Sequence, residues 1–308
     1  MISRRNIRVK VMQTLYVLDA LNSPDAAAGA EKSLQQNLDQ TETMFLYLLL
    51  LLTRVAVYAQ EDARLRASKR LITEKDLNIN TRIAENSLIR HLVQDAAFQK
   101  KVKSLLINHL PDQELVKKIY AELTASQPYL EYICHQERTD PEERQIIHHL
   151  FNGIMMRMEQ LDQHLEDCFI HWPDDRDMVI QLVNHFLAKS GSFPLQELIS
   201  PEKKQYAYEL LRTVLEKKEY CLELIRPKLQ NWDPDRIASI DMIIMQMGIC
   251  EFLYFPTIPA KVTINEYIDI AKTYSTPESG HFVNGLLDNL LKDLESGGKI
   301  HKSDRGRP

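Results

Sequence analysis

Two stretches near the C-terminal end decide the fold of this chain: IPAKVTINE at residues 258–266 and HFVNGLLD at residues 281–288. In both, short polar insertions interrupt an apolar pattern with helical spacing. Packing alone does not explain such insertions, so these stretches bear on function as well as on structure. Within the first, Thr263 and Glu266 have the spacing of a capping box, which predicts a helix that starts at Thr263.

Composition favours helices throughout the chain. The 308 residues include only 9 glycines and 13 prolines, and long stretches are rich in Leu, Glu, Lys and Gln. So few turn residues predict helices joined by short loops. A capping residue followed by proline, typical of helix starts, recurs at 140–141, 200–201, 233–234 and 276–277. No stretch alternates as a strand between hairpin turns does, so we predict an all-α fold.

The charge balance and the cysteines limit the class of protein. Net charge is −5, so any contact with nucleic acid must come from a local basic patch. The four cysteines are far apart, without a C-x-x-C pair, which predicts unpaired thiols in a cytosolic protein. The chain begins with basic residues and lacks the apolar region of a signal peptide. The apolar run at 44–52 is shorter than the roughly 20 residues that a bilayer requires, so we predict a buried central helix there.

An internal repeat relates two segments of the chain. Trp172 and Trp232, the only tryptophans, are 60 residues apart (232 − 172), and the same spacing relates Leu150 to Leu210 and other similar pairs. Each copy is predicted to be a capped helix, a Trp-containing loop and a second helix. The alternative is a chance likeness between two amphipathic helical hairpins, since helical patterns are generic.

The first basic residues of the chain form a candidate RNA site. Arg4, Arg5, Arg8 and Lys10 all precede the first acid, Asp19. On a helix, Arg4 and Arg8 share a face and Arg5 lies three residues before Arg8. Guanidinium groups suit phosphate and base edges, and such binding is sensitive to salt. Basic N-terminal turns are common, so this pattern alone is weak evidence. The opposite face is predicted to be an apolar stripe: Ile7, Val11, Leu15 and Leu18.

Together with SRRNIR at 3–8 and QTLY at 13–16, the two C-terminal stretches resemble the NusB family of transcription antitermination factors. The resemblance covers about residues 3–20 and 200–294. It implies a discontinuous helical bundle, residues 1–30 plus 196–295. A helical insertion, residues 31–195, would partly repeat the core hairpin, and residues 296–308 would be a flexible tail. Family members usually carry only a few tens of residues where this chain has nearly 180.

The resemblance also implies a function and its residues. NusB proteins hold the boxA element of ribosomal RNA leaders with an arginine-rich N-terminal helix and with the turn before the Phe-Val-Asn-Gly motif. Carried over to this sequence, the RNA-binding residues are Arg4, Arg5, Arg8, Lys10, Glu278, Ser279 and Phe282. Phe282 either stacks on a base or holds the last helix in the core. Asn284 and Gly285 are expected to form a structural turn or a close helix contact.

The second surface of the family binds the small-subunit ribosomal protein NusE. Tyr16 and Asp241 occupy the matching positions. For Tyr16 the alternative is a half-buried core role, and for Asp241 it is an internal partner such as Arg236. The partners implied are therefore boxA-type RNA, NusE and the antitermination complex of RNA polymerase, in the cytoplasm and without a membrane. A homodimer is left open.

No catalytic or cofactor motif occurs in the sequence. His164, Cys168 and His171 have a spacing that approaches a metal site, but they lack a fourth nearby ligand. No enzyme, cofactor or metal is predicted. This domain also occurs fused to RNA cytosine methyltransferases, but the glycine-containing cofactor loop and strand-rich domain of such an enzyme are missing. The other alternative is a helical scaffold of the same fold that docks a protein without specific RNA binding.

Overall fold

The computed structural model describes residues 2–21, 29–70, 73, 79–135, 137–189, 198–229 and 237–303. The described residues are 82% helical, and no strand occurs among them. The all-α prediction is therefore confirmed. It follows from the composition, since good helix formers fill the segments between the few glycines and prolines.

Fourteen α-helices lie within the described ranges. The first seven are α1 Arg4–Leu21, α2 Ala30–Ala67, α3 Ser87–Gln94, α4 Ala96–Ser104, α5 Gln113–Ala125, α6 Gln127–Cys134 and α7 Asp140–His148. The other seven are α8 Glu159–Cys168, α9 Trp172–Ala188, α10 Pro201–Glu216, α11 Lys218–Ile225, α12 Ser239–Tyr254, α13 Ala260–Tyr274 and α14 Ser279–Ser296. Short 3₁₀ turns lie at Arg82–Glu85, Ile107–His109, Met155–Arg157 and Arg226–Leu229, and a π-helical segment lies at His149–Ile154.

The helices form two compact units. The terminal unit comprises Ile2–Leu38 and Ile199–Pro308, and the central unit comprises Asp39–Leu198. Helix α2 contributes its first turns to the terminal unit and the rest to the central unit. The domain limits expected from the sequence, including residue 30 as the end of the first segment, stay a prediction.

The core of the central unit is built around α2. Residues 44–52 of this helix are all buried, which confirms the prediction of a buried central helix. Phe45 meets Phe186 edge to face, with ring centroids 6.0 Å apart. Helix α2 is long and apolar enough to cross a membrane, but 78% of its most apolar window is buried. A core helix of a soluble protein has the same length and composition, so this is weak evidence for a span.

Burial follows the 60-residue repeat. Leu150 and Leu210, and likewise Leu165 and Ile225, are fully buried in their respective units. Helical structure of one type or another runs from Asp140 to Arg157 in the first copy, and α10 spans the matching stretch of the second. Trp232 lies outside the described residues, so the pairing of the two tryptophans stays a prediction. Amphipathic helical hairpins bury such positions in any case, so the repeat and the chance likeness both stay open.

The helix starts agree in part with the predicted caps. Ser200 caps α10 by accepting a hydrogen bond from the Lys203 amide. At α7 the cap is Thr139, one residue earlier than predicted, and Glu142 completes a capping box. The predicted capping box at Thr263 is wrong, because α13 already begins at Ala260. The sequence 233–234 lies outside the described residues.

In the terminal unit, α12, α13 and α14 pack against one another. Gly248 of α12 permits their close approach. A Cβ at this position would lie 2.9 Å from Leu287 Cδ2, and Leu287 is fully buried. Gly285 of α14 faces open space, since a Cβ added there would have no neighbouring atom within 4 Å. It is helical and exposed, so the expected turn or close contact at Gly285 is wrong.

We expect Gly248→Ala to destabilise the protein by about 1–3 kcal/mol, because the added methyl overpacks a buried contact between helices. Gly285→Ala is the matched control. It should stabilise the protein by about 0.5–1 kcal/mol, since it adds a helix former to an exposed helical position. Urea unfolding of both variants measures the difference. Equal effects of the two substitutions would contradict the close packing at Gly248.

Candidate nucleic-acid interface

The N-terminal helix α1 is anchored by a buried ion pair. Arg8 Nε lies 2.7 Å from Glu251 Oε1, and Arg8 Nη2 lies 3.1 Å from Glu251 Oε2. The Arg8 side chain is 2% exposed and that of Glu251 is fully buried. A buried carboxylate is costly unless charge and hydrogen bonds compensate it. The pair therefore ties α1 to α12 across 243 residues of sequence.

Three further side chains donate hydrogen bonds to the Glu251 carboxylate. Tyr267 Oη and Thr263 Oγ1 of α13 each lie 2.9 Å from it, and Tyr206 Oη of α10 also donates to it. Four helices thus converge on one carboxylate. Thr263, predicted as a helix cap, serves instead as one of these donors.

The environment sets the protonation of this cluster. Burial disfavours the charged form of Arg8, but the hydrogen bonds and the charge of Glu251 outweigh it and raise the pKa of Arg8. Burial, followed by the nearby charge of Glu251, raises the pKa of Tyr206 and that of Tyr267 well above the ordinary value for a phenol. Both phenols therefore stay protonated and remain donors to Glu251.

Arg4 and Arg5 lie on the surface, and each contacts acids of the same unit. Arg4 Nη2 lies 2.7 Å from Glu202 of α10. Arg5 makes a bidentate contact with Glu266 of α13, at 3.0 Å from both Nε and Nη2. Its Nη2 also lies 2.8 Å from Asp269. The hydrogen bond to Glu266 is the main cause that raises the pKa of Arg5.

Helix α1 is buried on more of its surface than predicted. Ile7, Val11 and Leu15 are buried as expected, but Leu18 is only half-buried. Lys10, expected to contact RNA, is fully buried. Among the predicted basic contacts, Arg4 and Arg5 alone expose a large part of their side chains, 42% and 48% respectively.

The structure brings together two residues that were assigned to different surfaces. Ser279, predicted to contact RNA, donates a hydrogen bond to Asp241, predicted to contact NusE, with 2.6 Å between Oγ and Oδ2. Both residues are buried, so neither is available for a direct contact in this conformation. The internal partner of Asp241 is thus Ser279, while Arg236 lies outside the described residues. Glu278 is exposed and Phe282 is half-buried, which leaves part of its ring accessible.

Tyr16 lies partly on the surface, so its contact with NusE stays a prediction beside the alternative of a half-buried core role. Its relative exposure is 44%, and its neighbours Val17 and Leu21 on α1 are exposed as well.

Two of the residues with metal-like spacing, His164 and Cys168, contact each other, and His164 also contacts Tyr47 of α2. His164 Nε2 lies 2.6 Å from Tyr47 Oη and 3.6 Å from Cys168 Sγ. Across the described ranges, no group of three or more His, Cys, Asp or Glu side chains has the geometry to hold a metal ion. The two side chains are explained by packing against α2 in the central unit.

Sequence reasoning missed the acidic partners of the arginines: Glu202, Glu251, Glu266 and Asp269. The sequence does carry a signal for Glu251, because this acid interrupts the apolar run of α12 and a buried carboxylate needs a partner. Glu202 lies on an exposed helix face, where acids are common, and Glu266 and Asp269 are partly buried. The contacts of all three depend on tertiary packing.

Known proteins match the C-terminal part of the chain. The model of the NusB family matches residues 176–292. A transcription antitermination protein NusB from Salinibacter ruber is 42% identical over 113 residues, which cover 37% of this chain and 69% of the relative. The chain belongs to the NusB family.

Two further NusB relatives share the same region. The transcription antitermination protein NusB of Chloroherpeton thalassium is 37% identical over 116 residues, 38% of this chain and 55% of the relative. That of Methylacidiphilum infernorum is 45% identical over 95 residues, 31% of this chain and 66% of the relative. In both, the match spans less than two thirds of the relative. The family match does not include α1. This helix belongs to the terminal unit, where it packs against α10 and α12.

We expect Arg8→Ala to destabilise the protein by about 3–5 kcal/mol, because it leaves the buried Glu251 carboxylate without its charge partner. Arg4→Ala, the control on the same helix, should change stability by at most about 1 kcal/mol, since its ion pair is exposed. Urea unfolding monitored by circular dichroism gives both values. A small effect of Arg8→Ala would show that the ion pair does not anchor α1.

Proposed function

We propose that this NusB-family protein is a transcription antitermination factor that binds boxA-type RNA of ribosomal RNA operons together with the ribosomal protein NusE. It would act without a catalytic step, in the cytoplasm, as part of the antitermination complex of RNA polymerase. The observation that carries the proposal is the pair of exposed guanidinium groups, Arg4 and Arg5, on a helix anchored to the family core. The names of the relatives supply the antitermination role.

The exposed residues are proposed to contact RNA directly, and the buried residues to hold them in position. Arg4 and Arg5 are proposed to bind phosphates, because guanidinium groups make charge-assisted hydrogen bonds with them. Phe282 would stack on a base with the accessible part of its ring. Glu278 carries a negative charge, so it would contact a sugar hydroxyl or a base amino group rather than a phosphate.

The buried residues would affect RNA binding indirectly, by fixing the positions of the surface residues. Arg8 holds α1 in the terminal unit through Glu251, and Ser279 and Asp241 join the start of α14 to α12. Lys10 is buried on the same helix. Tyr16 is the proposed contact with NusE, supported by its exposure and its apolar neighbours on α1.

We expect the double variant Arg4→Ala/Arg5→Ala to bind boxA-type RNA about ten-fold or more weakly, since each charge-assisted hydrogen bond is worth about 1.5 kcal/mol or more. The logarithm of the binding constant falls linearly with the logarithm of the salt concentration. Loss of two phosphate contacts should reduce the magnitude of this slope by about 1.4. Fluorescence anisotropy of a labelled boxA-type RNA at several salt concentrations, with and without NusE, measures both effects. Arg8 is left unchanged because its removal would destabilise the protein.

The matched control is Lys100→Ala/Lys103→Ala, which removes two exposed positive charges from α4 of the central unit. It should bind as the unchanged protein does. Equal losses in the two double variants would mean that net charge alone controls binding and that α1 is not the site.

A second candidate function is a helical scaffold of the same fold that docks a protein without specific RNA binding. The observation in its favour is the acid pairing of Arg4 and Arg5, which reduces the positive potential of the surface. Absence of RNA binding in the presence of NusE would favour the scaffold.

A further inference from the structure

The arginines of α1 are outnumbered by the acids that contact them. The contacts of Arg4, Arg5 and Arg8 reach four carboxylates: Glu202, Glu251, Glu266 and Asp269. Glu251 is buried and belongs to the core. The remaining three acids meet the arginines at the surface. An RNA phosphate that approaches Arg5 must therefore compete with a carboxylate already present.

The two acids on Arg5 contact different edges of its guanidinium group. Glu266 takes the side edge, formed by Nε and Nη2. Asp269 accepts a hydrogen bond from Nη2 through Oδ2. Because Glu266 takes the Nη2 hydrogen next to Nε, the hydrogen left for Asp269 is the one on the end edge, formed by Nη1 and Nη2. Among the described residues, none accepts a hydrogen bond from Nη1. The end edge is thus half occupied, by Asp269.

The end edge is the one that a phosphate would use. Arginine binds phosphate through two parallel N–H donors, and Glu266 already holds both donors of the side edge. Glu266 is more buried than Asp269, with 20% against 47% of the side chain exposed. It also lies 3.4 Å from Nη1 of the buried Arg8, which helps to fix its position. Asp269 has no comparable second contact with a basic residue within the described ranges.

We propose that Asp269 restricts RNA access to Arg5 by occupying the guanidinium edge that a phosphate would take, whereas Glu266 positions the same guanidinium group from the other edge. The inference rests on the proposed RNA-binding function and adds to it a residue that limits affinity. Any RNA whose phosphate binds Arg5 must displace Asp269, so the cost falls on boxA-type RNA and on unrelated RNA alike. Asp269 therefore limits how tightly RNA is held through Arg5, whereas base contacts determine which RNA is preferred.

Asp269→Asn tests the competition. Fluorescence anisotropy is measured with a labelled boxA-type RNA and with an unrelated single-stranded RNA of the same length. We expect the affinity for each RNA to rise about two- to five-fold, the size of one exposed charge pair. Glu114→Gln is the control, because it removes an exposed, ion-paired acid from α5 in the central unit.

A double-mutant cycle with Arg5→Ala links the effect to this contact. In the Arg5→Ala background, Asp269→Asn should have no more effect than Glu114→Gln. Glu266→Gln should act in the opposite direction and weaken binding of boxA-type RNA, although it also removes a negative charge. That opposite sign separates a positioning role from general electrostatics.

The outcomes distinguish this inference from the proposed function. If the unchanged protein binds boxA-type RNA and Asp269→Asn behaves like Glu114→Gln, the inference is wrong and the proposed function stands. An increase that persists in the Arg5→Ala background would also overturn the inference. Binding that is seen only after Asp269→Asn would support it. If neither protein binds any RNA, the proposed function fails and the inference fails with it.

Discussion

The terminal unit depends on the charge of one buried carboxylate. Glu251 sits in an apolar helix, where an isolated negative charge would be too costly to keep. Arg8 supplies the compensating charge, and the phenols of Tyr206 and Tyr267 supply neutral donors. Because these donors come from three other helices, the requirement to satisfy one carboxylate determines how α1, α10 and α13 pack around α12.

Through helix α1, the buried ion pair of Arg8 and Glu251 also determines where the exposed residues of this helix lie. Arg4 and Arg5 precede Arg8 by about one turn of α1, so the ion pair that buries Arg8 also fixes where the exposed guanidinium groups lie. The same helix exposes Tyr16 and Leu21 near its other end. One helix therefore presents a basic surface and an apolar surface at its two ends, and both depend on the same internal contact.

Some of this organisation follows from local sequence and some does not. The all-α class and the burial of residues 44–52 follow from composition and length, which act along the chain. The helix start at Ala260 was missed because the Thr263 hydroxyl has a better partner in Glu251 than in its own helix end. The burial of Arg8 and Lys10 was missed for a similar reason, since charged residues are rarely buried unless a distant residue compensates them. Such partners are set by tertiary packing and are invisible to a local pattern.

The 243 residues between Arg8 and Glu251 have a consequence for synthesis on the ribosome. Chains elongate at about 5–20 residues per second, so Glu251 is synthesised about 12–50 s after Arg8. During that interval the central unit, which is continuous in sequence from Asp39 to Leu198, is completed and free to fold. The nascent chain meanwhile displays an unpaired cationic segment beside ribosomal RNA. The order of translation thus makes the terminal unit the last to fold, and only then are the basic residues of α1 neutralised by their acids.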